Sequence, residues 1–97
     1  MRLTQDQVGS VLDIGSNDGT LLNEFKLRGW KTHGVEPTDQ ALKSRSKGIR
    51  TTQEFFSEDV ARGVGKFDVI TATNVFAHVA DVHDFMRGVL RSLKPDG

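Results

Sequence analysis

The sequence predicts an α/β fold: one parallel sheet covered by helices on its faces. Three observations carry that expectation. Short apolar runs of strand length alternate with amphipathic stretches of helical spacing in the order β-α-β-α-β-α-β-α. Glycines stand where helices should stop, dispersed along the chain as punctuation. The chain has 97 residues, 36% of them hydrophobic and 27% charged, which suits one core and not two.

Each element has its own signal. Ser10-Val11-Leu12-Asp13-Ile14 reads as a short buried strand ended by Gly15. Thr20 to Arg28 places Leu21, Leu22 and Phe25 near helical spacing and stops at Gly29. A second strand, Lys31 to Val35, closes at Glu36-Pro37, and Thr38 is the expected N-cap of a helix through Lys47 that Gly48 stops. Ile49 to Thr52 is a weaker third strand. Ser57 caps a brief helix over Glu58 to Arg62, broken by Gly63 and Gly65. Phe67 to Ala72 is the fourth strand. Asp81, with Asp84 three residues on, caps a last helix whose apolar set is Val82, Phe85, Met86, Val89, Leu90 and Leu93, one stripe expected to pack.

Composition narrows the function. Thirteen Lys and Arg balance thirteen Asp and Glu, so no basic excess points to nucleic acid or an anionic membrane. The absence of Cys removes disulfides, thiolate metal sites and cysteine nucleophiles, and three scattered His make no metal site alone, so no metal is expected. The polar start Met1 to Asp6 is unlike a signal peptide, and no apolar run approaches the ~20 residues of a membrane span; a cytoplasmic chain is expected.

Ligands of open α/β sheets bind beyond the carboxyl ends of the strands. The first such loop is Asp13-Ile14-Gly15-Ser16-Asn17-Asp18-Gly19-Thr20. Gly15 and Gly19 permit a tight turn and close backbone approach. No Lys follows Gly19, so the loop is not a triphosphate cradle, and Gly-x-x-x-Gly departs from the dinucleotide pattern Gly-x-Gly-x-x-Gly. Asp13 and Asp18 repel a pyrophosphate and favour a cationic, phosphate-free ligand. Glu36, 21 residues after Gly15, stands where a carboxylate accepts hydrogen bonds from ribose hydroxyls. Any one of these residues is explained by a plain turn; the set together is not. A ribose-binding Glu36 also fits NAD, so a dinucleotide-binding oxidoreductase stays an alternative, as does a binding module without catalysis.

Val11 to Gly19 with Gly34-Val35-Glu36-Pro37 resembles the nucleotide-binding half of class I S-adenosylmethionine-dependent methyltransferases. That family's loop is acidic-x-Gly-x-Gly-x-Gly, and Asn17 replaces the middle Gly, a mild departure because Asn tolerates left-handed backbone. Phe67-Asp68-Val69-Ile70 and Leu93 to Gly97 also match. The resemblance implies a Rossmann-like methyltransferase fold over residues 1–97, cut after four parallel strands in the order 3-2-1-4: the amino-terminal half of the fold, as a fragment of a longer protein. It also implies S-adenosylmethionine as cofactor. Asp13, Gly15 and Gly19 would hold its methionine end, with Ser16 and Asn17 lining the loop. Glu36 would bind the ribose and Pro37 pack beside the adenine. Glu54 and Phe55 would flank the adenine, although Phe55 and Phe56 serve equally as core anchors. Thr73 and Asn74 would face the cofactor from the fourth strand.

The loop together with Asn74-Val75-Phe76-Ala77-His78-Val79 is similar to the sugar C-methyltransferases. This narrower resemblance implies a small-molecule acceptor, a nucleotide-linked keto-deoxysugar; a methyltransferase acting on a different small molecule is the alternative. His78 is the candidate for substrate contact or proton transfer, with a structural hydrogen bond as the plainer role. His33 and His83 are expected to be structural or solvated. The edge of the fourth strand is expected to favour self-association.

Overall fold

The computed structural model describes residues 8–72 and 81–96. Four parallel strands, β1 (Ser10–Ile14), β2 (Lys31–Val35), β3 (Arg50–Thr52) and β4 (Val69–Ala72), form one sheet in the order β3-β2-β1-β4. Ser10 stands beside Lys31, Val11 beside Val69 and His33 beside Arg50. The helices are α1 (Thr20–Leu27), α2 (Gln40–Ser46), α3 (Glu58–Val64) and α4 (Val82–Ser92). None of them is long and apolar enough to cross a membrane.

β1 is buried at every position because it lies between two strands and under helices on both faces, which explains its apolar run. Alternation then divides the core in two. Val11 joins Leu22 and Ile49, with Phe25 and Trp30 of the α1 region packed against them. Leu12 and Ile14 join Val35 and Phe67 on the other face, under Phe56, Val60, Phe85 and Val89 from the α3–α4 side. α4 lies close to the segment before α3 because residue 88 is Gly: a Cβ there would stand 2.7 Å from the Phe56 ring.

Several boundaries differ from the sequence expectation. Asp39, not Thr38, occupies the N-cap position of α2, in right-handed helical conformation and without a side-chain cap. The hydroxyl of Thr38 nevertheless accepts the Gln40 N–H at 3.2 Å. β3 begins at Arg50, and Ile49 is instead a buried core residue. α3 runs through Gly63 to Val64 and is stopped by Gly65, whose φ of 90° lies in the left-handed region. α1 ends one residue earlier than expected, at Leu27. β4 begins at Val69, while Phe67 pairs separately with Leu93: Phe67 N–H donates to the Ser92 carbonyl at 2.8 Å, and Lys94 N–H to the Phe67 carbonyl at 3.0 Å.

The largest correction concerns α4. Phe85 and Val89 pack on the core, but Val82, Met86 and Leu90 are 63%, 47% and 68% exposed. The apolar set is wider than the contact with α3 and the sheet. Its N-terminus is as expected: Asp81 accepts the Asp84 N–H at 3.0 Å.

Candidate cofactor site

The carboxyl ends of β1 and β2 hold the predicted loop and the predicted acid side by side. Gly15 N–H and Ser16 N–H both donate to the Val35 carbonyl, at 2.8 and 3.2 Å, which ties the loop to the end of β2. Gly15 and Gly19 have φ of 75° and 84°, and Asn17 has φ of 55°, the one non-glycine residue in the left-handed region among those described. Asn thus takes the conformation that a Gly would adopt more cheaply.

Glu36, just beyond β2, is buried with 5% exposure. Its Oε1 accepts the Asn17 N–H at 2.9 Å. Its Oε2 accepts the N–H and the hydroxyl of Thr38, at 3.0 and 2.7 Å. The carboxylate therefore fixes the glycine loop to the turn before α2. Pro37 is half-buried beside it.

Asp13 is 1% exposed, and its Oδ1 accepts the Thr71 hydroxyl of β4 at 2.8 Å. Asp18 turns to the start of α1, accepting the N–H and hydroxyl of Thr20 at 3.1 and 2.7 Å. These bonds, with the nearby Lys47 ammonium, hold its carboxyl below the usual aspartate range. Ser16 points inward: it is 4% exposed, and a Cβ at Gly34 would stand 2.9 Å from its own Cβ. The loop reaches β2 this closely because residue 34 has no side chain. Gly19 is held similarly, since a Cβ there would meet Ser44 Oγ of α2 at 2.7 Å.

Glu54 and Phe55 lie beyond β3. Glu54, Thr52, Asp59, Val60, Gly63 and Val64 line an open depression of about 260 Å³ between β3 and α3. The two neighbouring phenylalanines separate cleanly. Phe56 packs edge-on against Phe85, with ring centroids 5.4 Å apart, whereas Phe55 is 63% exposed. Thr73, Asn74 and His78 lie outside the described residues. His33 accepts or donates a 2.8 Å hydrogen bond with the Thr52 hydroxyl and meets Phe67 edge-on, and His83 is exposed in the first turn of α4. Among the described residues no cluster of His, Asp and Glu could hold a metal ion.

Sequence reasoning missed Thr38 and Thr71 as partners of the two site carboxylates. The spacing Glu36-x-Thr38 is a legible signal for a side chain folding back over a turn. The Thr71–Asp13 pair is not legible, because it depends on the register of two strands 58 residues apart.

The donor set fits a nucleoside without phosphates. It offers a buried carboxylate at the end of β2, a second buried carboxylate in β1 and a left-handed backbone in the loop between β1 and α1. Comparison with known proteins agrees with this geometry. The family model described as "Methyltransferase domain" matches residues 1–97. C-methyltransferase NovU of Streptomyces niveus is 32% identical over 92 residues, covering 90% of this chain and 22% of that protein. The mitochondrial ubiquinone biosynthesis O-methyltransferase of Bos taurus is 29% identical over 97 residues, covering 90% of this chain and 26% of that protein. The chain thus spans about a quarter of the length of either relative. A crystal structure of an S-adenosylmethionine-dependent methyltransferase from Thiobacillus denitrificans, in complex with S-adenosylhomocysteine, superposes with a TM-score of 0.66. It is 20% identical and covers 92% of this chain and 39% of that one. With the strand order, the glycine loop, the terminal acid of β2 and a family match over its full length, the chain belongs to the methyltransferase domain family.

Proposed function

We propose that this chain is the cofactor-binding part of a methyltransferase acting on a small molecule, with a carbon of a nucleotide-linked keto-deoxysugar as the methyl acceptor. The observation that carries the cofactor reading is Glu36, a buried carboxylate joined directly to the glycine loop through Asn17. S-adenosylmethionine supplies an electrophilic methyl group on a sulfonium. This chain's part is to bind and orient it: Glu36 receives the ribose hydroxyls, Gly15 and Gly19 admit the methionine end, and Asp13 adds negative charge beneath a cationic ligand. Phe55, exposed where Phe56 is packed, offers a ring to the adenine, with Glu54 and Pro37 beside it. Such alignment is the main demand of an in-line displacement. Carbon methylation next to a ketone also needs a base, the role proposed for His78, with Thr73 and Asn74 facing the cofactor.

The sugar reading is supported by the likeness to NovU and by the Asn74 to His78 segment; oxygen methylation is favoured by the likeness to the bovine enzyme. The oxidoreductase reading is weaker, because the loop lacks Gly-x-Gly-x-x-Gly and carries Asp13 and Asp18, whose charge would repel a pyrophosphate. Cytoplasmic location and self-association through the edge of β4 belong to the same proposal. The exposed Val82, Met86 and Leu90 of α4 add apolar surface for association, and a clean monomer in sedimentation at high concentration would contradict it.

Calorimetric titration with S-adenosylhomocysteine tests the cofactor reading. Saturable binding weakened by Glu36→Ala is expected, and a folded chain that binds NAD instead would overturn it. Radiolabelled methyl transfer by the longer protein, offered a keto-deoxysugar nucleotide and a phenolic acceptor, separates carbon from oxygen methylation.

A further inference from the structure

Among the described residues, the Glu36 carboxylate is held from two sides, and one of them is a side chain. Oε1 is held by the loop through Asn17 N–H. Oε2 is held by Thr38, whose hydroxyl lies at 2.7 Å and whose N–H lies at 3.0 Å. The hydroxyl has a single proton, which goes to Glu36, while its lone pair takes the Gln40 N–H at 3.2 Å. Rotating it away would break both bonds, so its orientation is fixed by the turn. The terminal torsion of a glutamate is broad and soft. A short bond from a hydroxyl to an ionised carboxylate is among the stronger ways to stop that rotation.

A carboxylate receives two ribose hydroxyls together at lower entropic cost when its plane is already held. We propose that Thr38 is a positioning residue: by fixing the plane of Glu36 it sets the affinity for the ribose diol of the cofactor, without touching the cofactor itself. This rests on the cofactor reading given above. It assigns a specific role to a residue that otherwise reads as part of a helix start.

The test pairs variants with two ligands, S-adenosylhomocysteine and its 2′,3′-dideoxyribose analogue, titrated calorimetrically into the 97-residue chain. Thr38→Val is expected to weaken S-adenosylhomocysteine roughly 3- to 12-fold, the net scale of one hydrogen bond. Its effect on the dideoxy analogue should be less than about twofold, and Thr38→Ser, which keeps the hydroxyl, should stay within about twofold for both on the same scale. Thr38→Ala serves as a smaller second variant, and a melting curve without ligand verifies folding. Equal losses for the two ligands, or a Ser variant as weak as Val, would overturn the proposal. Weak binding by Glu36→Ala beside wild-type binding by Thr38→Val overturns the role of Thr38 alone. Glu36→Ala that binds like wild type overturns the cofactor reading, and the role of Thr38 with it.

Discussion

The first two βα units and the last one make opposite use of their side chains. Around β1, β2 and the loop after each, small and polar residues are fitted against each other: Ser16 over Gly34, Gly19 against Ser44, Glu36 between Asn17 and Thr38. On α4 the apolar residues exceed what the neighbouring elements cover, and Val82, Met86 and Leu90 face outward. The difference teaches that the site end of the sheet is specified by close approach and hydrogen bonds, where a single methyl group matters. The outer face of α4 is specified only by hydropathy, where many side chains serve equally.

Substitutions can sharpen or break that contrast. The largest effect is expected at the centre both regions share: Leu12→Ala, at a position with no exposure, should cost about 2–5 kcal/mol in chemical denaturation. Gly34→Ala comes next. Its methyl would stand 2.9 Å from Ser16 Cβ and 3.1 Å from Leu22 Cδ1, so a loss of about 1–3 kcal/mol is expected, with weaker S-adenosylhomocysteine binding as the loop is pushed off β2. If Gly34→Ala is neutral in both assays, the tight fit of the loop is not what specifies the site.

pH reads the first region by another route. Burial, then the positive charge of Arg50, holds the His33 imidazole below its usual pKa of about 6.5. The unfolded chain therefore binds this proton more readily than the folded one. The stability this contributes is present above the unfolded value and lost as pH falls toward the folded value. Melting temperature should drop on acidification below about pH 6.5 more steeply in wild type than in His33→Gln. Parallel curves for the two proteins would remove His33 as the cause.

The smaller effects lie on the other side of the molecule. Gly63→Ala meets nothing within 4 Å and sits in α3, so a gain of up to about 1 kcal/mol is expected, opposite in sign to Gly34→Ala. Leu90→Lys should change stability by less than about 0.5 kcal/mol, since its side chain is 68% exposed. A loss of 2 kcal/mol there would mean that the outer face of α4 is covered after all, on the scale of buried leucines.

Much of this was legible beforehand for physical reasons. β1 ends where its apolar run ends, because a strand buried on both faces must be apolar and the next glycine turns the chain, and β2 ends before Glu36-Pro37, where proline has no N–H to continue a ladder. Ser57 and Asp81 were readable as caps because capping is local, needing only an N–H three residues on. What was not legible depended on neighbours distant in sequence. Phe55 and Phe56 are identical in type and adjacent, and packing against Phe85 and Gly88 of α4 distinguishes the half-buried Phe56 from the exposed Phe55. Likewise, Phe67 falls outside β4 because its partner is Leu93 and its side chain joins the Leu12 cluster.

By itself, then, the sequence determined the order of elements, the glycine loop and the acid that follows β2. These rest on local backbone preferences and on periodicity within a few residues. The tertiary structure decided how the loop meets the acid, with the Asn17 N–H on Glu36, and which half of the α4 stripe is core. Those outcomes are fixed by strand register and helix packing, which bring together groups whose separation along the chain carries no trace of their contact.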